Sequence, residues 1–154
     1  MKRFIGIMGM AFFMSTLQST AHAQVSLNVN IGTQPVWGPS GYDHADYYYL
    51  PDIDVYYNVP AKKYVYREGN RWVTRTTLPP VYKDYDLYSN YKVVINEKKP
   101  WMNDEVYRKK YESYRNRHDQ PVIRDSHDSK YFVIREHPEH DKWVRDGKGR
   151  HPHQ

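Results

Sequence analysis

Asp52–Arg75 reads DIDVYYNVPAKKYVYREGNRWVTR, and the fold turns on how its side chains alternate. In "DIDVYYNV", Ile53, Val55 and Tyr57 alternate with Asp52, Asp54 and Tyr56, the period of two that marks a strand. A turn around Val59-Pro60-Ala61 leads into "KKYVYRE". Gly69-Asn70 is a two-residue hairpin signal, because both residue types tolerate a positive φ. "RWVTRT" then returns. The expected unit is a three-stranded antiparallel meander.

Parity assigns the faces. Across the Gly69-Asn70 turn, Glu68 falls opposite Arg71, Arg67 opposite Trp72 and Tyr66 opposite Val73. Pairing Tyr57 with Tyr64 places Val55 opposite Tyr66. Ile53, Val55, Tyr57, Tyr64, Tyr66 and Val73 then share an apolar face that reads as core. Asp54, Tyr56, Val65, Arg67, Trp72 and Thr74 share a mixed face. On it Arg67 can stack on Trp72, a cation–π contact of about 0.5–1 kcal/mol when exposed. A one-residue slip at the middle turn would reverse the first strand.

Outward from the meander, Pro51 separates Tyr47–Tyr49 as a short strand or extended lead-in. Val25, Leu27, Val29 and Ile31 alternate with polar residues and predict a further strand. "TQPVWGPSG", Thr33–Gly41, is broken by two prolines and two glycines and reads as an ordered loop with Trp37 plugged into the body. Beyond the meander, "LPPVYKDYDLYS" is a connector and "YKVVIN" a compact strand. A helix is predicted over Asn103–Arg117. Asn103 stands at the cap, Met102 and Tyr107 at the positions of a hydrophobic staple. Asp104 and Glu105 occupy the first turn, and Arg115 and Arg117 lie near the end, as the helix dipole prefers. Tyr107, Tyr111 and Tyr114 share one face and point inward, while Arg108, Lys109, Glu112 and Arg115 point out. "KYFVIRE" reads as one more strand. From His137 onward charge, histidine and glycine dominate, which predicts a frayed tail.

The first residues bear on the compartment. "MKRFIGIMGMAFFMSTLQSTAHA" starts with Lys2 and Arg3, runs apolar from Phe4 to Met14 and ends in Ala21-His22-Ala23. This is the pattern of a secretory signal peptide cleaved after Ala23; the apolar run is short of the about 20 residues that span a bilayer. Removing 23 of 154 residues leaves 131, the size of one domain. No later segment is apolar enough to cross a membrane. The sequence has no cysteine. That excludes disulfides, thiol catalysis, Cys-rich zinc sites and lipid attachment at a lipoprotein cysteine. The leader carries two basic residues and no acid, so 21 of the 23 Lys and Arg remain against 18 acids, a net charge of +3. Both signs are well mixed, and with export this argues against a nucleic-acid partner.

Several motifs carry chemistry on paper. His137-Pro138-Glu139-His140 and His151-Pro152-His153 could hold a divalent metal, but Pro138 prevents a regular helical turn from aligning His137 with His140, and no dedicated metal site is expected. Ser126-His127-Asp128 has the letters of a catalytic triad, yet neighbours in sequence cannot adopt its geometry. Asp52 and Asp54, on one face of a strand and about 7 Å apart, have a spacing that a paired-carboxylate glycosidase can use. A hydrolase of this kind needs two or more of Asp52, Asp54, Asp84, Asp86 or a histidine to converge in a pocket. The stronger signal is aromatic: 16 tyrosines against four phenylalanines imply many half-buried rings with hydrated hydroxyls. Tyr56, Arg67 and Trp72 are the binding candidates, because they share the mixed face.

Tyr47–Pro79, "YYYLPDIDVYYNVPAKKYVYREGNRWVTRTTLP", together with "IGTQPVWGPSGYD" before it and "YDLYSNYKVVINEKKPW" after it, resembles an uncharacterised family of small Tyr-rich exported proteins of Gram-negative bacteria, Bacteroidota in particular. Their shared pattern is YYY-x-P…VYY…Y-x-Y…G-x-W…LP. The likeness runs from about Ile31 to Tyr114 and leaves out the histidine-rich end. That family has no assigned activity or cofactor, so the resemblance implies export and a β-rich module and nothing about chemistry.

The expectation is therefore an α+β protein with a signal peptide over 1–23, a single β-rich domain over 24–135 and a disordered polar tail over 136–154. The domain would be a small antiparallel sheet of about four to six strands with one C-terminal amphipathic helix packed on it. Its role would be non-catalytic, in the periplasm or outside the cell, on an envelope protein or glycan, without a cofactor. The competing class is a small hydrolase acting on envelope glycans.

Overall fold

A computed structural model describes residues 29–147. The signal peptide, most of the Val25–Ile31 strand and His151-Pro152-His153 lie outside the described residues. Five strands form one antiparallel sheet: β1 (Tyr47–Leu50), β2 (Val55–Asn58), β3 (Lys63–Glu68), β4 (Arg71–Arg75) and β5 (Val93–Ile95), in the spatial order β4-β3-β2-β1-β5. Two short helices follow, α1 (Asp104–Lys110) and α2 (His140–Arg145).

The register agrees with parity at every position compared. Tyr57 pairs with Tyr64, Tyr66 with Val73, Arg67 with Trp72 and Glu68 with Arg71. Gly69 has φ +60 and Asn70 does not turn positive, as in the II′ turn that matches the twist of a hairpin. Tyr47–Tyr49 is a full member of the sheet, pairing with β2 on one side and β5 on the other.

Both faces are buried, and here the structure corrects the reading of one core face and one mixed face. Tyr48, Leu50, Val55, Tyr57 and Tyr66 are buried on the first face, under Trp37 at one end and Leu78, Tyr82, Tyr85 and Leu87 at the other. On the second face Tyr49, Tyr56 and Val65 are buried against Tyr107 and Tyr111 of the helical segment, with Trp101 and Trp72 at the margin. A strand with ring-bearing residues on both sides has no solvent face to offer, so layers form on each side.

The helix is shorter than predicted. A 3-10 turn over Pro100–Asn103 leads into α1, and another over Glu112–Tyr114 follows it. Asn103 makes no side-chain cap, and Met102 is 70% exposed, so the staple does not form. The tyrosine stripe does point inward: Tyr107 lies 6.4 Å from Tyr56, Tyr111 lies 6.3 Å from Tyr49, and the two stack on each other. Tyr114 packs on Tyr91 instead. Polar partners on the β1–β2 turn hold this segment. Asp54 accepts from Arg115 at 2.6 Å and Arg108 at 2.9 Å, and Asp52 accepts the Asn116 N–H at 2.7 Å. Arg108 and Arg115 therefore point to the protein, not away from it.

Two further expectations fail for one reason. "KYFVIRE" is a 3-10 turn over Ser129–Val133, not a strand, and the chain past residue 135 is ordered rather than frayed as far as the described residues reach. Tyr131, Ile134 and His137 recur every third residue, the period of a 3-10 helix. Their N–H groups each reach the carbonyl three residues back, at 2.9–3.1 Å. All three side chains are buried, Tyr131 and Ile134 with Val36 and Ile123. Tyr131 accepts the N–H groups of Gly41 and Tyr42, and His137 Nε2 lies 3.1 Å from the Ile123 carbonyl. The Pro39–Val122 bridge ties the same segment to the Thr33–Gly41 loop. Gly38 in that loop is required, since a Cβ there would meet the Tyr48 hydroxyl at 2.6 Å.

Burial pushes the phenols of Tyr48, Tyr49, Tyr56 and Tyr85 well above their ordinary range, and those of Tyr57 and Tyr107 up to about 12. The neutral forms are favoured by the fold, and their contribution is complete below the unfolded value of about 10 and lost as pH rises above it. In an alkaline titration, phenolate absorbance from this set should therefore appear only as circular dichroism reports unfolding. Its appearance without unfolding would contradict the buried aromatic core.

Candidate functional site

Arg67 and Trp72 form the second cross-strand pair from the Gly69-Asn70 turn, and the Arg67 guanidinium sits 6.0 Å from the Trp72 ring centre. Tyr56, the third sequence candidate, is fully buried and meets Trp72 edge-on at 5.9 Å. Its hydroxyl donates to Asp104 at 2.9 Å. Tyr56 is thus core, because α1 covers the middle of that face and places a carboxylate over its hydroxyl. Trp72 is half-buried and Arg67 exposed, because α1 stops short of β4.

Trp72 borders two recesses. One, of about 350 Å³, is lined by Arg67, Trp72, Trp101, Met102, Asp104 and Val106. The other, of about 290 Å³, is lined by Trp72, Tyr82, Val81, Asp54, Asp104 and Arg108. Half-exposed indole faces stand beside a guanidinium and a carboxylate, the combination of large amphipathic area and polar ends that binds sugars or peptides. Sequence reading did not anticipate Trp101, Asp104 or Arg108 here. Asp104 carried a signal only as a first-turn acid. Its role as acceptor for a phenol 48 residues earlier needed the tertiary fold.

The carboxylates separate. Asp54 is saturated: Oδ1 accepts from Tyr49 at 2.7 Å and Arg115 at 2.6 Å, and Oδ2 meets Arg108 at 2.9 Å. It adopts φ +52, not the strand conformation. Asp52 serves Tyr85 and the Asn116 N–H. Asp84 is exposed beside Lys83 at 3.9 Å, and Asp86 accepts from the backbone of Tyr88 and Ser89. Those four do not converge. Asp54 and Asp104 do line one recess, bridged by Arg108, whose Nη1 is 3.7 Å from Asp104. Burial pushes the Asp104 carboxyl up, against the Tyr56 hydrogen bond and the Arg108 charge.

Other motifs resolve into structural uses. Asp128 accepts the Lys130 N–H, and Ser126 accepts the Asp128 N–H, so no triad forms. His137 Nδ1 accepts the Glu139 N–H while Nε2 faces two carbonyls, which spends both ring nitrogens. Among the described residues no group of three His, Asp or Glu is placed to hold a metal ion, and no helix is long and apolar enough to cross a membrane. A separate cleft of about 450 Å³ is lined by Trp37, Tyr57, Tyr88, Lys62, Arg124 and Glu136.

No known protein family, curated protein or solved structure matches this chain.

Lys92 is buried, 1% exposed, with Nζ donating to the carbonyls of Leu87 at 2.7 Å and Tyr88 at 3.4 Å. Burial pushes its ammonium down to about 8, partly offset by Asp86. Without access to solvent it is a structural group. Its folded value is depressed, so the unfolded chain binds more protons between about pH 8 and the ordinary 10.4. Stability should therefore rise with pH from about 8 towards 10, and Lys92→Met should abolish that rise in denaturant unfolding, whatever it does to stability at neutral pH.

Asp54→Asn keeps a residue that tolerates the left-handed region and removes the charge and one of the two acceptor oxygens. It should lower stability by about 2 kcal/mol, the scale of hydrogen bonds to charged groups, measured by thermal unfolding. An unchanged midpoint would mean that the Arg108 and Arg115 contacts contribute nothing.

Proposed function

We propose that this chain is a non-catalytic module, exported to the periplasm or beyond, that binds an envelope protein or glycan through the groove beside Trp72. One observation carries the reading: Trp72 and Trp101 line the same open groove, together with Arg67 and Asp104. Indole faces left half-exposed at the margin of the core are available for a ligand without unfolding anything. Export rests on the leader pattern of residues 1–23 and on the resemblance to Tyr-rich exported proteins of Gram-negative bacteria. No cofactor, nucleic acid or membrane span of the mature chain is part of the proposal.

The alternative, a small periplasmic or secreted hydrolase of envelope glycans, has one feature in its favour. Asp54 and Asp104 face one recess in different environments, the first held by two arginines and the second pushed towards its neutral form. Against it, the Arg108 guanidinium occupies the space between them, where a substrate would have to lie.

Localisation of the mature protein, followed by capture from envelope extracts, tests the binding reading. Wild type should retain a partner that Trp72→Ala loses, while the variant keeps its fold by circular dichroism. Equal capture by both removes Trp72 from the site. Incubation with peptidoglycan separates the two classes: release of reducing ends by wild type and not by Asp104→Asn would replace the binding reading with the hydrolase.

A further inference from the structure

The two edges of the sheet are treated differently. Beside β5 a side chain acts as a strand toward Lys92, the residue just before it. Gln120 Oε1 accepts the Lys92 N–H at 2.9 Å, and its Nε2 donates to the Lys92 carbonyl at 2.8 Å. At β4 nothing comparable is present among the described residues. The two-residue turn makes Glu68 and Arg71 a hydrogen-bonded pair, so Arg71, Val73 and Arg75 direct their backbone groups to β3, and Trp72 and Thr74 direct theirs outward. Among the described residues the Trp72 N–H, the Trp72 carbonyl and the Thr74 N–H have no partner. The Thr74 carbonyl receives only the guanidinium of Arg75, at 3.3 Å.

Apolar side chains stand in solvent in the two recesses that Trp72 borders. Val81 is 79% exposed in one, and Met102 and Val106 are 70% and 63% exposed in the other. Three of the seven large apolar residues exposed among the described residues thus share a recess with this one β4 side chain. Isolated surface apolar residues need no explanation; their gathering around Trp72 does.

Charge decides between occupants. Edge strands commonly carry charge against unwanted pairing, and here it has one sign. Arg71 and Arg75 share one face of β4, which has no acid of its own; Glu68 of β3, opposite Arg71, meets Arg75 at 3.2 Å, which leaves this face with two cations to one acid. Antiparallel pairing with a second copy about Val73 would set Arg71 opposite the other chain's Arg75, twice, which like-charge repulsion opposes. An acidic extended segment meets no such repulsion.

We propose that β4 is the docking edge for an extended peptide segment of a partner protein, added as a sixth antiparallel strand. Its carboxylates lie opposite Arg71 and Arg75, and its apolar side chains rest on Trp72 and the exposed Val81, Met102 and Val106. This deepens the reading of the chain as a binding module and rests on it, choosing a protein partner over a glycan.

The probe is a blocked synthetic peptide with two glutamates separated by Thr-Val-Ile, titrated at low salt and followed by the amide resonances and hydrogen exchange of β4. Binding should protect the Trp72 and Thr74 amides and leave those of Val73 and Arg75, already paired with β3, unchanged. Replacing both glutamates by lysine should weaken binding roughly tenfold or more, the scale of a mismatched charge pair, and R71E with R75E should reverse that preference. Thr74→Pro, which removes an outward N–H that β3 does not use, should abolish binding. N-methylation of the peptide amides should do the same with the protein unaltered, so a folding defect in the Pro variant cannot mimic the result. No binding by wild type, equal binding by both peptides, or binding that survives N-methylation overturns the proposal. Loss of extract capture by Trp72→Ala but not by Thr74→Pro would sink strand addition while leaving the aromatic groove as a binding site.

Discussion

A tyrosine placed at the centre of a sheet brings apolar area and a hydroxyl that must find an acceptor once water is gone. The rest of this structure is arranged around that requirement. Tyr48 and Tyr49 are neighbours on β1 and point to opposite faces. The first donates to Gln34 and the second to Asp54, while Tyr56 on β2 donates to Asp104. Each acceptor then recruits a further piece of chain. Gln34 donates to the Tyr42 carbonyl and holds the amino-terminal loop; Asp54 gathers Arg108 and Arg115; Asp104 fixes the start of α1. In a chain without cysteine, these phenol contacts do the fastening that crosslinks perform in many small exported domains.

The same economy explains why the candidate site lies where it does. With seven residues at about 1.5 Å each, α1 is about 10 Å long. A five-stranded sheet with spacings of about 4.8 Å is about 19 Å across. A helix docked over Tyr49 and Tyr56 therefore runs out before β4, and Trp72 is left half-covered beside Trp101. The open groove lies at the amino-terminal end of α1, where Trp101, Asp104 and Val106 line it with Trp72. Beyond the opposite end, the carboxylates of the β1–β2 turn hold Arg115 and Asn116.

Much of the sheet was legible because strand parity is a local property. Once Gly69-Asn70 is a turn, the partners of Arg67 and Tyr66 follow by counting. Burial was less legible, since alternation shows that two faces differ and not that each finds a cover. Asp54 illustrates the difficulty. Period two puts it on a strand, yet it occupies the left-handed region because two arginines and a phenol converge on it from distant parts of the chain. Tyr131, Ile134 and His137 show another kind of difficulty. Their spacing of three is present in the sequence, but the β-branched and aromatic run around them carries an equally good strand signal. The contest is decided by Tyr131 reaching the N–H groups of Gly41 and Tyr42, about ninety residues away.

From sequence alone came the antiparallel meander, its register, the inward tyrosine stripe of Tyr107 and Tyr111, and the absence of sulfur chemistry, because each depends on residue type and spacing within a few positions. The tertiary structure alone decided that both faces of the sheet are covered, that Tyr56 is core while Trp72 stays at the margin, that Asp54 and Asp104 meet across Arg108, and that Gln120 pairs with the backbone of Lys92 beside one sheet edge. Each of those depends on which distant group arrives to satisfy a buried hydroxyl, carboxylate or backbone amide, and no local pattern encodes the arrival.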